Sequence, residues 1–327
     1  MIFALDNFLL TKTITLSKDK LFSFLAAIGV FVFSLYLLPY GVEGDQFFYR
    51  NFYEGSIGLP YGELLEFQRS TIGSIEPLYG VLASLFSPYI GKDQFSAGLN
   101  FFLAYQAALY MRRARVVWWL IFVLIFCNYY SYVLLFSAER LKLSLILFLL
   151  FLNSKGWLRL LGFAAAPLAH AQILILYFVG GILKGCQSLF DMLAMGVVKK
   201  KSLLLTLLAI VASSVLIAFL SSHIFDKLSR YQGEGISEIF KSVVFLVLAL
   251  FFAPRKLECL LSFAPVIATA YFVGDARVNV FAFFLYLYYS LKVRRGVSFL
   301  NFLLLAYFLV QGFNFIDNLI HFGSGYV

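Results

Sequence analysis

The sequence predicts an all-α integral membrane protein, a polytopic helical bundle, and three observations carry that prediction. Of its 327 residues, 62% are hydrophobic and 13% charged, about half the charged share of an ordinary soluble domain. The apolar residues come in runs of up to about 20, the length that crosses a hydrocarbon core. Lys and Arg collect in the short segments between those runs, as they do in cytoplasmic loops. A mean hydropathy of +0.88 leaves more apolar surface than a soluble globule of this length can bury. Soluble enzymes, nucleic-acid-binding domains and disordered regulators are thereby excluded, and the 39 Phe and 20 Tyr argue against disorder a second time. The net charge of +9 reports orientation before it reports partners.

The first run, 21–38, follows Lys12, Lys18 and Lys20. Pro39-Tyr40-Gly41 offers no small-x-small cleavage site, so an uncleaved span with its N-terminus inside is expected. Residues 75–90 and 95–111 read as a helical pair separated by Gly91-Lys92-Asp93. Arg112, Arg113 and Arg115 belong inside, which requires 75–90 to dip or lie along the outer face. Spans follow at 116–136, 141–152, 203–222, 243–253, 257–273, 278–291 and 299–316. Residues 157–183 are too long for one simple helix and contain Pro167 and Gly180-Gly181, so they read as an up-and-down pair turning near 167–170. Residues 186–198 place apolar side chains at helical spacing before Lys199-Lys200-Lys201, the pattern of an interfacial helix on an anionic surface. The result is a single polytopic domain over 1–327 with about 11 spans (roughly 9–12) and its C-terminus outside. Cys127, Cys186 and Cys259 stand far apart without CxxC spacing and read as packing residues.

That topology places most of the carboxylates outside, several of them at helix mouths: Glu76 before Pro77, Glu139-Arg140 between two spans, Asp275-x-Arg277 between two more. Charge at the hydrocarbon edge costs a few kcal/mol unless it faces a partner or a cavity, so an outward-facing polar cavity is expected. Arg140, Arg230 and Arg277 would together form a clamp for a diphosphate, since the guanidinium fork suits phosphate oxygens. The alternative is three unrelated ion pairs. His170, in an apolar stretch, is either a hydrogen-bonded structural residue or, at the cavity floor, a proton acceptor or a sugar-binding donor. The segment from Gly44 to Tyr53 mixes Asp45, Arg50 and aromatics, which suits either an interfacial belt or a carbohydrate site. No GxxxxGK[ST], GxGxxG, DxD or HExxH occurs, so neither a nucleotide loop nor a metal constellation is visible, and any donor would be lipid-borne.

In order, these residues resemble the EpsG/Wzy-type polysaccharide polymerases of bacterial inner membranes. The matching features are Asp45-Gln46-Phe47-Phe48-Tyr49 in an early outer loop and Glu76-Pro77-Leu78-Tyr79 opening the next helix. Arg140 with Ser144 four residues on, His170, and Asp275-Ala276-Arg277 leading into an aromatic span complete the set. The resemblance runs roughly over 41–291, and departs from the pattern in that Leu141 and Lys142 follow Arg140. It implies a multi-span, glycosyltransferase-C-like enzyme that moves a growing glycan from undecaprenyl diphosphate onto the next lipid-linked repeat unit at the outer face. The product class would be O-antigen, capsule or exopolysaccharide. Implied partners are the lipid-linked oligosaccharide, membrane lipids and a chain-length regulator protein; no nucleic acid, cofactor or metal is implied. His170, Glu139, Glu76 and Asp45 are the candidate catalytic residues, and Arg140, Arg230 and Arg277 would hold diphosphate. The rival activities are an O-antigen ligase and a lipid-linked glycan transporter or flippase.

Overall fold

The computed structural model describes residues 13–196, 207, 235–273 and 278–326. Fourteen α-helices and no strand occur among the described residues. They group into two units, one formed by Lys12–Ile173 with Val297–Val327, the other drawn from Leu174–Gly296.

In the first unit, α1 (Thr13–Leu37) ends where Pro39 forbids continuation, in a 3₁₀ turn over Leu38–Tyr40. It lies along α5 (Lys92–Arg113), burying Ala27, Val30 and Ser34 while Leu25, Val32 and Tyr36 stay exposed. Between them come α2 (Asp45–Gly55), α3 (Tyr61–Ile72) and α4 (Pro77–Phe86). Gly80 permits a close approach of α4 to α3, since a Cβ there would collide with Gln68. The expected pair 75–90 and 95–111 corresponds to α4 and α5.

The expected single span 116–136 is instead two helices, α6 (Trp118–Phe126) and α7 (Tyr129–Phe136), bent by 54°. The cause is Asn128, whose side chain accepts from the Tyr130 amide at 3.0 Å and caps a new helix start. Carbonyls released at the break are met by Ser131 Oγ, on Leu124 O, and by the Tyr132 hydroxyl, on Phe126 O. Such repair is what an interrupted helix needs in an apolar medium. Then follow α8 (Glu139–Asn153) and α9 (Gly156–Ala169), packed closely because Gly162 faces the backbone of Leu147 and Phe151. The break expected near 167–170 falls at His170; α9 runs through Pro167 and stops there. Near the C-terminus α14 (Phe299–Phe322) packs on α7 through Gly312.

The second unit contains α10 (Leu174–Met195), α11 (Gly235–Phe252), α12 (Lys256–Val273) and α13 (Val278–Ser290). Helix α12 contacts α10, α11 and α13, and Ser242 Oγ donates to Asn279 Oδ1 at 2.8 Å between α11 and α13. The separate interfacial helix expected at 186–198 is, up to Met195, the continuation of α10. The expected span 203–222 lies outside the described residues, Leu207 excepted.

Two stretches are long and apolar enough to cross a membrane, Lys18–Tyr40 and Val293–Phe322, and the bent α6–α7 pair makes a third if taken as one span. The expected total of about 11 is not reached by these criteria among the described residues. Helices such as α8, α9 and α13 have 15, 14 and 13 residues. At about 1.5 Å per residue each is shorter than a hydrocarbon core of about 30 Å.

Candidate functional site

Within the first unit, residues distant in sequence meet in one buried polar network. Glu76 is the N-cap residue of α4, placed there because Pro77 starts the helix. Its Oε2 accepts from Arg140 Nη1 at 2.8 Å and from the Ser74 hydroxyl; Oε1 meets His170 Nδ1 and the Ala171 amide, both at 3.3 Å. Glu76, Arg140 and His170 are all under 9% exposed. Arg140 Nε donates to the Tyr49 hydroxyl at 3.2 Å. His170 owes its place to the extended backbone after α9, where Ser144 Oγ bonds the Ala166 and His170 carbonyls at 2.8 and 3.3 Å, each of which also accepts a backbone amide. Burial alone would raise the Glu76 carboxyl; the hydrogen bond and charge of His170, then Arg140 and Ser74, outweigh it and hold the group well below the usual carboxylate range. Next to this cluster the Tyr79 hydroxyl is fully buried with no hydrogen-bond partner among the described residues, its ring edge-on to Tyr49 at 5.3 Å.

A second cluster surrounds Glu139, the first residue of α8. Lys142 Nζ reaches Glu139 Oε2 at 3.1 Å, and Lys92 Nζ, Gln46 Nε2 and Ser96 Oγ all donate to Oε1. Lys142 also donates to Leu135 O and Gln46 to Phe136 O, which satisfies the open carbonyls at the end of α7. The helix ends supply part of the logic. A carboxylate suits the positive start of α8, and an ammonium suits the negative end of α7. Burial would raise Glu139, but the Lys142 and Lys92 charges and its hydrogen bonds hold it far below the usual range. Lys92 is lowered because burial exceeds the help it receives from Glu139.

Of the candidate residues, Glu76, Arg140 and His170 share one cluster, and Glu139 lies beside it in the chain but faces the lysines. Engaged on both oxygens, Glu139 is arranged as a counter-ion. Asp45 is half-buried at the start of α2, and its neighbour Gln46 is the residue that enters the network. Arg230 and Arg277, with Asp275, lie outside the described residues. Arg50 binds Leu38 O, Gly41 O and Asp93, a clamp on the end of α1. Sequence reasoning left Lys92 and Lys142 in outer segments and missed Gln46 and Ser96. A signal existed: Lys92, Ser96 and Asn100 recur every four residues on one face of α5.

Chemically the Glu76 cluster offers a guanidinium that can meet anionic oxygens. It also offers an imidazole whose Nδ1 side faces a carboxylate; in the neutral ring with its proton on Nδ1, Nε2 is the basic nitrogen, and the carboxylate stabilises the imidazolium formed when Nε2 takes a proton. No group of three or more His, Cys, Asp and Glu able to hold a metal occurs among the described residues. Comparison with known proteins returns nothing similar to this chain, whether among protein-family models, curated proteins or solved structures.

Proposed function

We propose that the chain is a multi-span membrane glycosyltransferase of the EpsG/Wzy type. It would polymerise lipid-linked oligosaccharide repeat units at the outer face of a bacterial inner membrane, through an outward-opening polar cavity in a bundle of about 11 spans. The observation that carries the reading is the meeting of Glu76 with Arg140 and His170, which lie 64 and 94 residues further along the chain. Ionisable groups enclosed in an apolar helical protein are costly, and they mark function more often than stability.

In this mechanism the acceptor sugar hydroxyl gives its proton to His170 Nε2 as its oxygen bonds to the anomeric carbon of the donor glycan. The bond from that carbon to the diphosphate oxygen breaks, and its electron pair leaves with the polyprenyl diphosphate. Arg140, with Arg230 and Arg277, stabilises the charge that develops there. Glu76 holds the imidazole by Nδ1 and keeps Arg140 in place until the diphosphate competes for it. The unpartnered Tyr79 hydroxyl gives a polar group of the incoming sugar a buried partner.

Complementation of cells lacking their own polymerase tests this reading. Arg140→Ala and His170→Gln chains that reach the membrane are expected to lose polymer by a factor of about 10² or more, the usual cost of one lost donor to a developing anion. Polymer of normal length from both would end the proposal. Loss of polymer with single repeat units still transferred separates a polymerase from a ligase.

A further inference from the structure

We propose that the end of the first unit where α1 begins, α5 and α8 end, and α6 and α9 begin is a docking surface for the anionic headgroups of one membrane leaflet. Three segments come together there. Arg112 Nε, at the end of α5, bonds Asp19 of α1 at 2.9 Å. Arg113 Nη1 donates to Asn153 O at the end of α8, and Asn153 Nδ2 returns to Gln106 at 2.8 Å. These bonds place Lys18 and Lys20, Arg115, and Lys155 at one end of the unit, all four exposed. The same segments contribute Arg112, Arg113 and Arg159 but a single carboxylate, Asp19, which Arg112 engages.

Aromatics mark the same level. The chain has three Trp, and all three begin the helices at this end: Trp118 and Trp119 on α6, Trp157 on α9. Trp118 is 64% and Trp157 70% exposed, although indole normally lies buried or at a membrane interface. The stretch Lys18–Tyr40 and the bent pair from Trp118, both apolar enough to cross a membrane, start here. Beyond the far end of α1 the exposed charge is predominantly acidic, with Glu43, Glu54, Glu63 and Glu66 against Arg69 on or before α2 and α3.

Backbone geometry gives an independent observation. Arg115 has φ +62°, and the turn around it bonds Arg115 N to Arg112 O and Val116 N to Met111 O, a helix stop that glycine makes without steric cost. Among the described residues the non-glycine positions with positive φ are Arg115, Arg294 and Arg295, each of them an arginine after a helix end. Arginine at a position where glycine fits better points to a use for the charge.

Because the tryptophans all sit at this end, their fluorescence reads it alone. The full chain is reconstituted into phosphatidylcholine vesicles containing equal fractions of either brominated phosphatidylglycerol or brominated phosphatidylcholine, with bromine placed shallow or deep. Stronger quenching by the shallow phosphatidylglycerol is expected. Lys18→Gln, Lys20→Gln or Lys155→Gln should each lower that preference about two- to five-fold. Arg115→Gly should lower it as much while thermal stability holds or rises. Equal quenching by the two lipids, stronger quenching from the deep position, or variants that keep the full preference would each overturn the proposal.

Discussion

Replacing Glu139 by Gln removes the carboxylate that faces two buried ammonium groups and leaves the shape of the side chain intact. Lys92 and Lys142 each stand 3.1 Å from it, and none of the three side chains is more than 2% exposed. Breaking a buried pair by removing one partner costs about 3–5 kcal/mol, because the other charge stays desolvated and uncompensated. A lysine can also escape by losing its proton, which caps the loss near the lower figure. Lys92 is already held below its ordinary range by burial, with Glu139 the main influence raising it. Loss of Glu139 therefore lowers it further. A lysine lowered in the folded state binds fewer protons there than in the unfolded state, so stability rises with pH up to the ordinary lysine value of about 10.4. Glu139→Gln should thus cost about 3 kcal/mol near pH 7 and visibly less near pH 9. Denaturant unfolding of the detergent-solubilised chain at the two pH values measures this. Adding Lys142→Met, which removes one of the stranded charges, should restore part of the loss. Wild-type stability at neutral pH, or an equal loss at both pH values, would refute the reasoning.

Three further outcomes are expected. Gly162→Ala would place a Cβ 2.6 Å from Leu147 O and 2.8 Å from Phe151 N, so α8 and α9 must separate; a loss of about 1–3 kcal/mol should appear in thermal unfolding. Asn128→Ala removes the cap of α7 and should cost about 1 kcal/mol by the same measurement, with no change in helical content beyond that break. Glu76 is lowered in the folded state, so the stability it contributes is present above the ordinary carboxylate range and lost as pH falls through and below it. Glu76→Gln should flatten the acid limb of a stability–pH profile.

Composition and hydrophobic runs made the helical class legible, and the first run, 21–38, lies within α1 and the turn that follows it. Run length alone missed the break inside 116–136, because Asn128 acts through a single cap. It misread Lys92 and Lys142 for a related reason. Charged residues beside apolar runs look like loop residues until a partner such as Glu139 appears, and that pairing joins position 92 on α5 to positions 139 and 142 on α8. Glu76, Arg140 and His170 were each visible as odd charges in apolar surroundings. Their meeting depends on the turn at His170 and on the Ser144 bonds that fix it, neither of which has a periodic signature.

The central proposal concerns chemistry, and reconstitution addresses it most directly. The purified chain in vesicles would be supplied with a polyprenyl diphosphate-linked repeat unit alone, and the glycan length and released polyprenyl diphosphate followed together. The account predicts lengthening glycans with one diphosphate lipid released per bond formed, abolished by His170→Gln and Arg140→Ala chains that remain folded. Unchanged substrate in the presence of folded protein, or lengthening that survives both substitutions, would contradict it.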